Sequence, residues 1–157
     1  MTEKSISLWS DTCALPEYAP LNRDMNTDVL VIGGGMAGIL CASALTRAGI
    51  DCVLIEADRL CGTTTKDTTA KITSQHGLIY HTLLKRFGAE KTRLYLMANE
   101  DALEKYRRLC RDIDCGFEEK SAFAYSTDDP KVIEKELDAL SQIGSHAKRA
   151  EKLPLPF

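Results

Sequence analysis

Residues 28–56 read DVLVIGGGMAGILCASALTRAGIDCVLIE, and the pattern in this stretch decides the fold. Val29-Leu30-Val31-Ile32 is an unbroken apolar run of β-branched and aliphatic residues, the composition of a strand buried on both faces. Three glycines follow. Met36 to Ala48 then has helical spacing, with Ile39, Leu40, Ala44 and Leu45 on the packing side, and Gly49 stands where a C-terminal cap belongs. Cys52-Val53-Leu54-Ile55 is a second buried strand, stopped by Glu56. Two buried strands joined by one helix predict a right-handed βαβ unit with parallel strands.

Gly33-Gly34-Gly35-Met36-Ala37-Gly38 spells G-x-G-x-x-G. Alone the pattern is weak, but here it directly follows a buried strand and opens a helix, which gives it physical meaning. Gly33 permits the tight turn out of the strand. Gly35, with no side chain, lets a pyrophosphate approach the backbone. Gly38 lets the helix pack closely on the strand. The first-turn N–H groups and the positive end of the helix dipole then face the phosphates. Glu56 ends the second strand, where a carboxylate accepts hydrogen bonds from an adenosine ribose and argues against a 2′-phosphate, hence against NADP. The plain alternative is a glycine-rich turn without a ligand. The order of strand, glycines, helix, strand and acid favours dinucleotide binding.

Outward from this core, residues 1–27 are irregular, with Pro16 and Pro20 and the turn formers Asn22, Asp24 and Asn26, and read as an arm lying against a domain. Trp9, the only tryptophan, is the expected anchor of that arm. From Ala57 to Ser74 the chain is polar and rich in threonine. Leu78 to Ile113 is helical in pattern, broken near Gly88, with Leu96, Leu103, Tyr106, Cys110 and Ile113 at helical spacing. Asp101–Lys105 and Glu104–Arg108 stand one turn apart. Gly116 ends the segment, Phe117 to Ser126 reads as a strand, and Asp128-Asp129-Pro130 opens a helix to about Ile143. The tail through Pro154 and Pro156 reads as extended.

The 157 residues suit one ordinary domain, or one domain and part of another. At 44% hydrophobic and 27% charged, the composition is that of a globular protein and excludes a disordered or collagen-like chain. Twenty Lys and Arg against 23 Asp and Glu leave a net charge of −3, so no basic surplus serves nucleic acid. The first ten residues lack the apolar core of a signal peptide. Val29 to Thr46 carries no charge, but its many small residues and close charged flanks argue against a membrane span. Of the six cysteines none forms a C-x-x-C pair, and Cys110 and Cys115 lack zinc-finger spacing, so no metal site is expected. Free thiols and a cytoplasmic location are the default, with Cys110 a core thiol and Cys115 a helix-end thiol.

Val29 to Glu56 followed by Gly62-Thr63-Thr64 resembles the N-terminus of the FAD-dependent oxidoreductases of the D-amino-acid oxidase and sarcosine/glycine oxidase type. The segment Thr68-Thr69-Ala70-Lys71-Ile72-Thr73-Ser74-Gln75-His76-Gly77 is similar to one bacterial branch, which often carries a Rieske iron–sulfur domain at its C-terminus. The leader Ser7-Leu8-Trp9-Ser10-Asp11-Thr12 resembles the tryptophan-containing arm of that branch. The resemblance covers essentially the whole chain, but only the N-terminal part of a longer family member. It implies that Gly33, Gly35, Met36, Ala37 and Gly38 line the pyrophosphate of FAD and Glu56 its ribose. It sets Ala57 and Asp58 beside the adenine, and Gly62, Thr63 and Thr64 at the phosphate and ribityl portion. It brings Thr69, Ala70, Lys71 and Ile72 near the isoalloxazine ring, where a cation at Lys71 would stabilise negative charge on the reduced flavin. For the threonines the competing expectation is a solvated loop with local side-chain-to-backbone bonds, and for Lys71 an ordinary surface lysine. A histidyl–flavin link occurs in some relatives, but helix-start histidines are the expectation for His76 and His81.

The implied reaction is hydride transfer to the flavin from a small-molecule substrate, an amine or an amino-acid-like compound. The expected fold class is α/β: a Rossmann-like FAD-binding βαβ unit, an incomplete doubly wound parallel sheet, then helices and the start of an α+β substrate domain. The expected boundaries are 1–27 for the arm, 28–115 for the N-terminal part of the FAD-binding domain and 116–157 for the beginning of a truncated substrate domain. A doubly wound sheet needs at least three parallel strands and this chain supplies two, so one edge of Val29–Ile32 is expected to lack a neighbour. Catalytic residues are expected beyond residue 157, and the chain alone is expected to be inactive. Two other readings stay open, an NAD-binding dehydrogenase or sensor module and a non-enzymatic remnant. The long threonine-rich loop separates the first from FAD, because NAD domains proceed quickly to a third strand.

Overall fold

The apolar runs on either side of the glycines form two short strands, β1 (Val29–Ile32) and β2 (Cys52–Ile55), which pair in parallel with Val29 opposite Cys52 and Ile32 opposite Ile55. The computed structural model describes residues 6–150. Ahead of β1 lies a five-residue helix, α1 (Leu8–Thr12), which composition alone does not reveal in the arm. A parallel pair needs a crossover, and helix α2 (Met36–Arg47) supplies it. Its C-terminal cap falls at Ala48, and Gly49 follows with φ +72°, a conformation that suits glycine.

Both strands have their predicted bounds, but β1 is not buried on both faces. Leu30 is 51% exposed and Ile32 78% exposed, while Val29 and Val31 are half-buried. The reason is the number of layers. The α2 side of the sheet is covered, with Val31 Cγ1 close against Gly38, and among the described residues of this unit no second layer covers Leu30 and Ile32 on the other face. On α2 the half-buried residues include Gly38, Ile39, Ala42 and Leu45, whereas Leu40 and Ala44, also expected to pack, are exposed. Among the described residues the sheet has these two strands only.

After β2 the threonine-rich stretch contains a 3-10 helix, Thr64–Asp67, where the sequence predicts only loop. The arm docks on it: Trp9 Nε1 donates to the carbonyl of Thr68 at 3.0 Å, and the Ser7 hydroxyl donates to that of Lys66. Trp9 is thus the anchor that its solitary position predicts.

The chain divides between Lys71 and Ile72 into two compact units. The second is built on a long helix, α3 (Tyr80–Cys110), and on α4 (Lys131–Gln142). Gly88 interrupts α3 with φ +78° and ψ +170°, the break that its sequence predicts. Tyr80, Leu96, Ala139, Leu140 and Ile143 form the core where α3 and α4 meet, with Ile79, Leu83 and Leu84 packed against it. The N-terminus of α3 is capped from across the fold. Buried Glu136 of α4 accepts hydrogen bonds from Tyr80 N (2.9 Å), His81 N (2.8 Å) and Gln75 Nε2 (2.9 Å). The Tyr80 and His81 amides are among the donors that a helix leaves without intrahelical partners.

Residues 117–126 form no strand, contrary to the sequence pattern. Glu118, Glu119 and Lys120 break the apolar alternation, Glu119 is drawn to Arg107 (2.8 Å), and the described residues offer no partner strand. Of the two helical ion pairs, Glu104–Arg108 forms at 3.0 Å, and Glu104 also takes Arg107. No helix among the described residues is long and apolar enough to cross a membrane. The extended tail through Pro154 and Pro156 lies outside the described residues.

Candidate functional site

The glycine turn has a different physical reason at each position. Gly33 takes φ +106°, and its N–H donates to Ile55 O at 2.8 Å, so it ends the ladder and reverses the chain at once. A Cβ on Gly38 would lie 1.9 Å from Gly33 O, so helix and turn meet here only through glycine. Gly34 is buried, and a Cβ there would come within 2.3 Å of Leu60. Gly35 differs. Its φ of −79° suits any residue, and a Cβ would find only Thr65 Oγ1 at 3.5 Å, an ordinary contact. Packing among the described residues does not require glycine at 35. The face it leaves bare lies at the head of α2.

That head presents backbone donors. Ile39 N bonds back along α2 to Gly35 O at 3.0 Å, and the first-turn amides of a helix in general lack acceptors within the helix. Met36 N is met by the Thr65 hydroxyl at 3.1 Å. The first turn of α2 contains no acidic residue, so the positive end of its dipole has no carboxylate of its own helix beside it. Ala37 is exposed and Gly38 half-buried in this same turn.

Glu56 is oriented by backbone. Its Oε2 accepts from Gly34 N at 2.6 Å, and its Oε1 accepts from Ala57 N at 2.8 Å and Asp58 N at 3.2 Å. The Gly34 N–H, then that of Asp58, hold the carboxyl below the usual carboxylate range against the opposing effect of burial, and the Ala57 N–H adds to them. A carboxylate offers about four acceptor positions. Three are taken, and the side chain stays exposed, so it can serve a further hydroxyl while it ties β2 to the glycine turn. Cys61 N completes that tie by donating to Gly34 O at 2.9 Å.

The remaining predicted site residues lie along the chain beyond this cluster. Ala57 and Asp58 are exposed and held to Glu56 through their amides. Gly62 turns tightly, its N–H donating to Arg59 O at 3.1 Å, where a Cβ would sit 3.0 Å from that same oxygen. Thr63 and Thr64 lead into the 3-10 helix and are exposed. Thr69, Ala70, Lys71 and Ile72 are exposed, and Ile72 belongs to the second unit. Ala70 has φ +59° and Cys61 φ +55°, a backbone region costly to residues with a Cβ. The 3-10 turn is therefore bracketed by two strained residues. His81 is the second residue of α3, and His76 Nε2 lies 3.3 Å from Asn99 Oδ1.

Sequence reasoning about the site missed Thr65 and Leu60. Thr65 reaches the head of α2 from 29 residues away, and Leu60 closes over Gly34. No local motif marks either residue. The open glycine face, the amides at the head of α2 and the backbone-held acid together fit the pyrophosphate and ribose of a dinucleotide.

Comparisons with known proteins identify the family. The family model for FAD dependent oxidoreductases (DAO) matches residues 28–154. A protein of Bacillus subtilis (strain 168), YhfW, whose name describes a Rieske 2Fe-2S iron-sulfur protein, is 36% identical over 153 residues, covering 95% of this chain and 30% of the relative. The gamma-glutamylputrescine oxidoreductase of Escherichia coli (strain K12) is 26% identical over 133 residues, covering 82% of this chain and 31% of the relative. The chain thus spans about 30% of the length of these relatives. No solved structure matches it significantly. With a glycine turn, an open helix head and an oriented acid inside the matched region, the chain belongs to the family of FAD dependent oxidoreductases.

Proposed function

We propose that this chain holds the adenosine-diphosphate half of FAD and contributes the N-terminal part of a longer flavoenzyme that oxidises an amine. Gly35 carries this reading, as the one motif glycine that neither backbone conformation nor packing demands. A glycine backbone in front of a helix whose own first turn has no acidic residue suits a pyrophosphate, whose charge the amides and dipole of α2 would meet. In this arrangement Gly33, Gly35, Met36, Ala37 and Gly38 line the pyrophosphate, and Glu56 accepts from a ribose hydroxyl. Ala57 and Asp58 flank the adenine. Gly62, Thr63 and Thr64 serve the phosphate and ribityl portion, and Thr69, Ala70, Lys71 and Ile72 the ring.

When bound, FAD supplies the hydride-accepting chemistry that side chains lack. The residues of this chain bind and orient. Glu56, kept ionised by its backbone donors, offers a hydrogen bond to a neutral hydroxyl. Thr65 Oγ1, now on Met36 N, is a hydroxyl within reach of the same phosphate position. The amine substrate is proposed from the name of the Escherichia coli relative, and a Rieske iron–sulfur domain in the same longer protein from that of the Bacillus subtilis relative. The family match favours neither the NAD module nor the ligand-free remnant.

The fold we propose is a Rossmann-like βαβ unit, an incomplete doubly wound sheet. Residues 1–27 form its arm, 28–115 the N-terminal part of the FAD-binding domain, and 116–157 the beginning of a substrate domain. The catalytic groups lie on the remainder of the longer enzyme, so the chain alone gives no turnover, and the enzyme works in the cytoplasm. The test is FAD binding by the whole protein, followed by flavin fluorescence, for the native sequence and for Gly35→Val. Loss of FAD with unchanged circular dichroism is the expected result. Equal affinity in the two would overturn the proposed role of the glycine face.

A further inference from the structure

The second unit brings together two thiols that the cofactor reading does not use. Helix α3 ends at Cys110, and the chain turns back immediately. Ile113 N donates to Cys110 O at 3.2 Å, Cys115 N donates to Ile113 O at 2.9 Å, and Gly116 continues with φ +62°. This double turn brings Cys110 and Cys115 to the lining of one cavity, with Cys115 near enough to push the Cys110 thiol up. Both line an open cavity of about 470 Å³, which Arg111 and Phe117 also line. Cys110 is half-buried and Cys115 exposed, and neither is in a disulfide.

We propose that Cys110 and Cys115 form a dithiol site that takes a low-molecular-weight disulfide and is oxidised by it to an intramolecular disulfide. The difference in exposure assigns the two roles. Cys115, open to solvent, loses its proton and attacks one sulfur of the incoming disulfide. The incoming sulfur–sulfur bond breaks, a mixed disulfide forms on Cys115, and the first small thiolate leaves and takes up a proton. Cys110 then loses its proton and attacks the Cys115 sulfur. The mixed bond breaks, the Cys110–Cys115 bond forms, and the second small thiol departs. Two protein thiols are oxidised and one small disulfide is reduced to two thiols. Burial, then the neighbouring Cys115 thiol, pushes the Cys110 thiol up, which disfavours it as the first attacker. Arg107 and Arg111 line the cavity together with Asp114 and Glu119.

Oxidised glutathione is the probe, applied to the reduced whole protein, with free thiols then blocked by N-ethylmaleimide and the protein cut by trypsin. Peptides 109–111 and 112–120 should appear joined by a disulfide and should separate again in reduced glutathione. In Cys110→Ser the glutathione should stay on Cys115. In Cys115→Ser the oxidation of Cys110 should slow by about tenfold or more, since the exposed partner is gone. A mixed disulfide that persists on Cys115 of the native protein would overturn the proposal. So would labelling of both thiols by maleimide under conditions that glutathionylate exposed Cys13. Mapping of the native protein decides the matter even where a variant fails to fold.

Discussion

Glu56 and the motif glycines separate binding from folding one residue at a time. The folded-state pKa of Glu56 lies below its ordinary 4.5, because Gly34, Asp58 and Ala57 donate to the charged form. Its contribution to stability is therefore present above pH 4.5 and is lost as pH falls through the lower folded value. FAD affinity of the whole protein is expected to fall over the same acid range, and in Glu56→Ala it should fall by about tenfold to a hundredfold at neutral pH. A fluorescence titration against pH measures both, and an affinity untouched by the substitution would confine Glu56 to tying the glycine turn. Gly35→Val and Gly38→Ala should part company. The first leaves the melting temperature near that of the native protein and loses FAD. The second forces a Cβ to 1.9 Å from Gly33 O, so the turn itself must open, and a thermal melt should reveal it.

Among the elements, α3 and α4 depend on one carboxylate. Glu136 is 3% exposed and satisfies Tyr80 N, His81 N and Gln75 Nε2 together. Glu136→Ala leaves buried donors without partners and should cost about 2–4 kcal/mol in a denaturant titration. An effect under about 0.5 kcal/mol, the range of ordinary surface changes, would show that water replaces the cap without loss. Tyr80 gives the same pair of helices an alkaline limit. Burial first, then Tyr95, Glu100 and Glu136, raises its phenol to about 12 from 10, while its hydroxyl donates to Ser74 O at 2.6 Å. The folded form holds the proton more tightly than the unfolded one. The resulting stability is full below pH 10 and is lost as pH rises towards 12. Tyr80→Phe should flatten that slope in melts run from pH 9 to 12, at the expense of one hydrogen bond.

Over the whole molecule, burial is uneven. The buried hydrophobic residues among those described all fall between Tyr80 and Ile143. The βαβ unit has none, and Leu30 and Ile32 remain 51% and 78% exposed. Each aliphatic side chain left wet forgoes about 1.5–3 kcal/mol of burial, against a typical domain stability of about 5–15 kcal/mol. In hydrogen exchange on this chain, the amides of β1 and β2 are expected to exchange well before those near Leu96 and Leu140. Calorimetry should show a broad transition in place of one sharp peak. A single cooperative melt with equal protection in both units would contradict the layer count. FAD, binding only the folded form, should raise the protection of β1 and β2 in the whole protein.

The sequence by itself determined β1, α2 and β2 almost to the residue, the break at Gly88 and the extent of α4, because each is written in local signals. Apolar runs, helical spacing, a glycine that must take positive φ and a proline that opens a helix act within a few residues of where they stand. The glycine motif and Glu56 were legible for the same reason, and together with Gly62-Thr63-Thr64 and the 68–77 segment they carried the resemblance to the family. Tertiary structure alone decided which of those elements found cover. Val29-Leu30-Val31-Ile32 has the composition of a strand buried on both faces, yet burial depends on a second layer, and this unit has one layer on the sheet. Residues 117–126 carry strand-like residues, but a strand needs a partner, and Glu119 found Arg107 instead. Thr65 on Met36 N, Glu136 on the head of α3 and Cys115 against Cys110 arise where the chain returns to itself, so their identities could be read in the sequence but their partners could not.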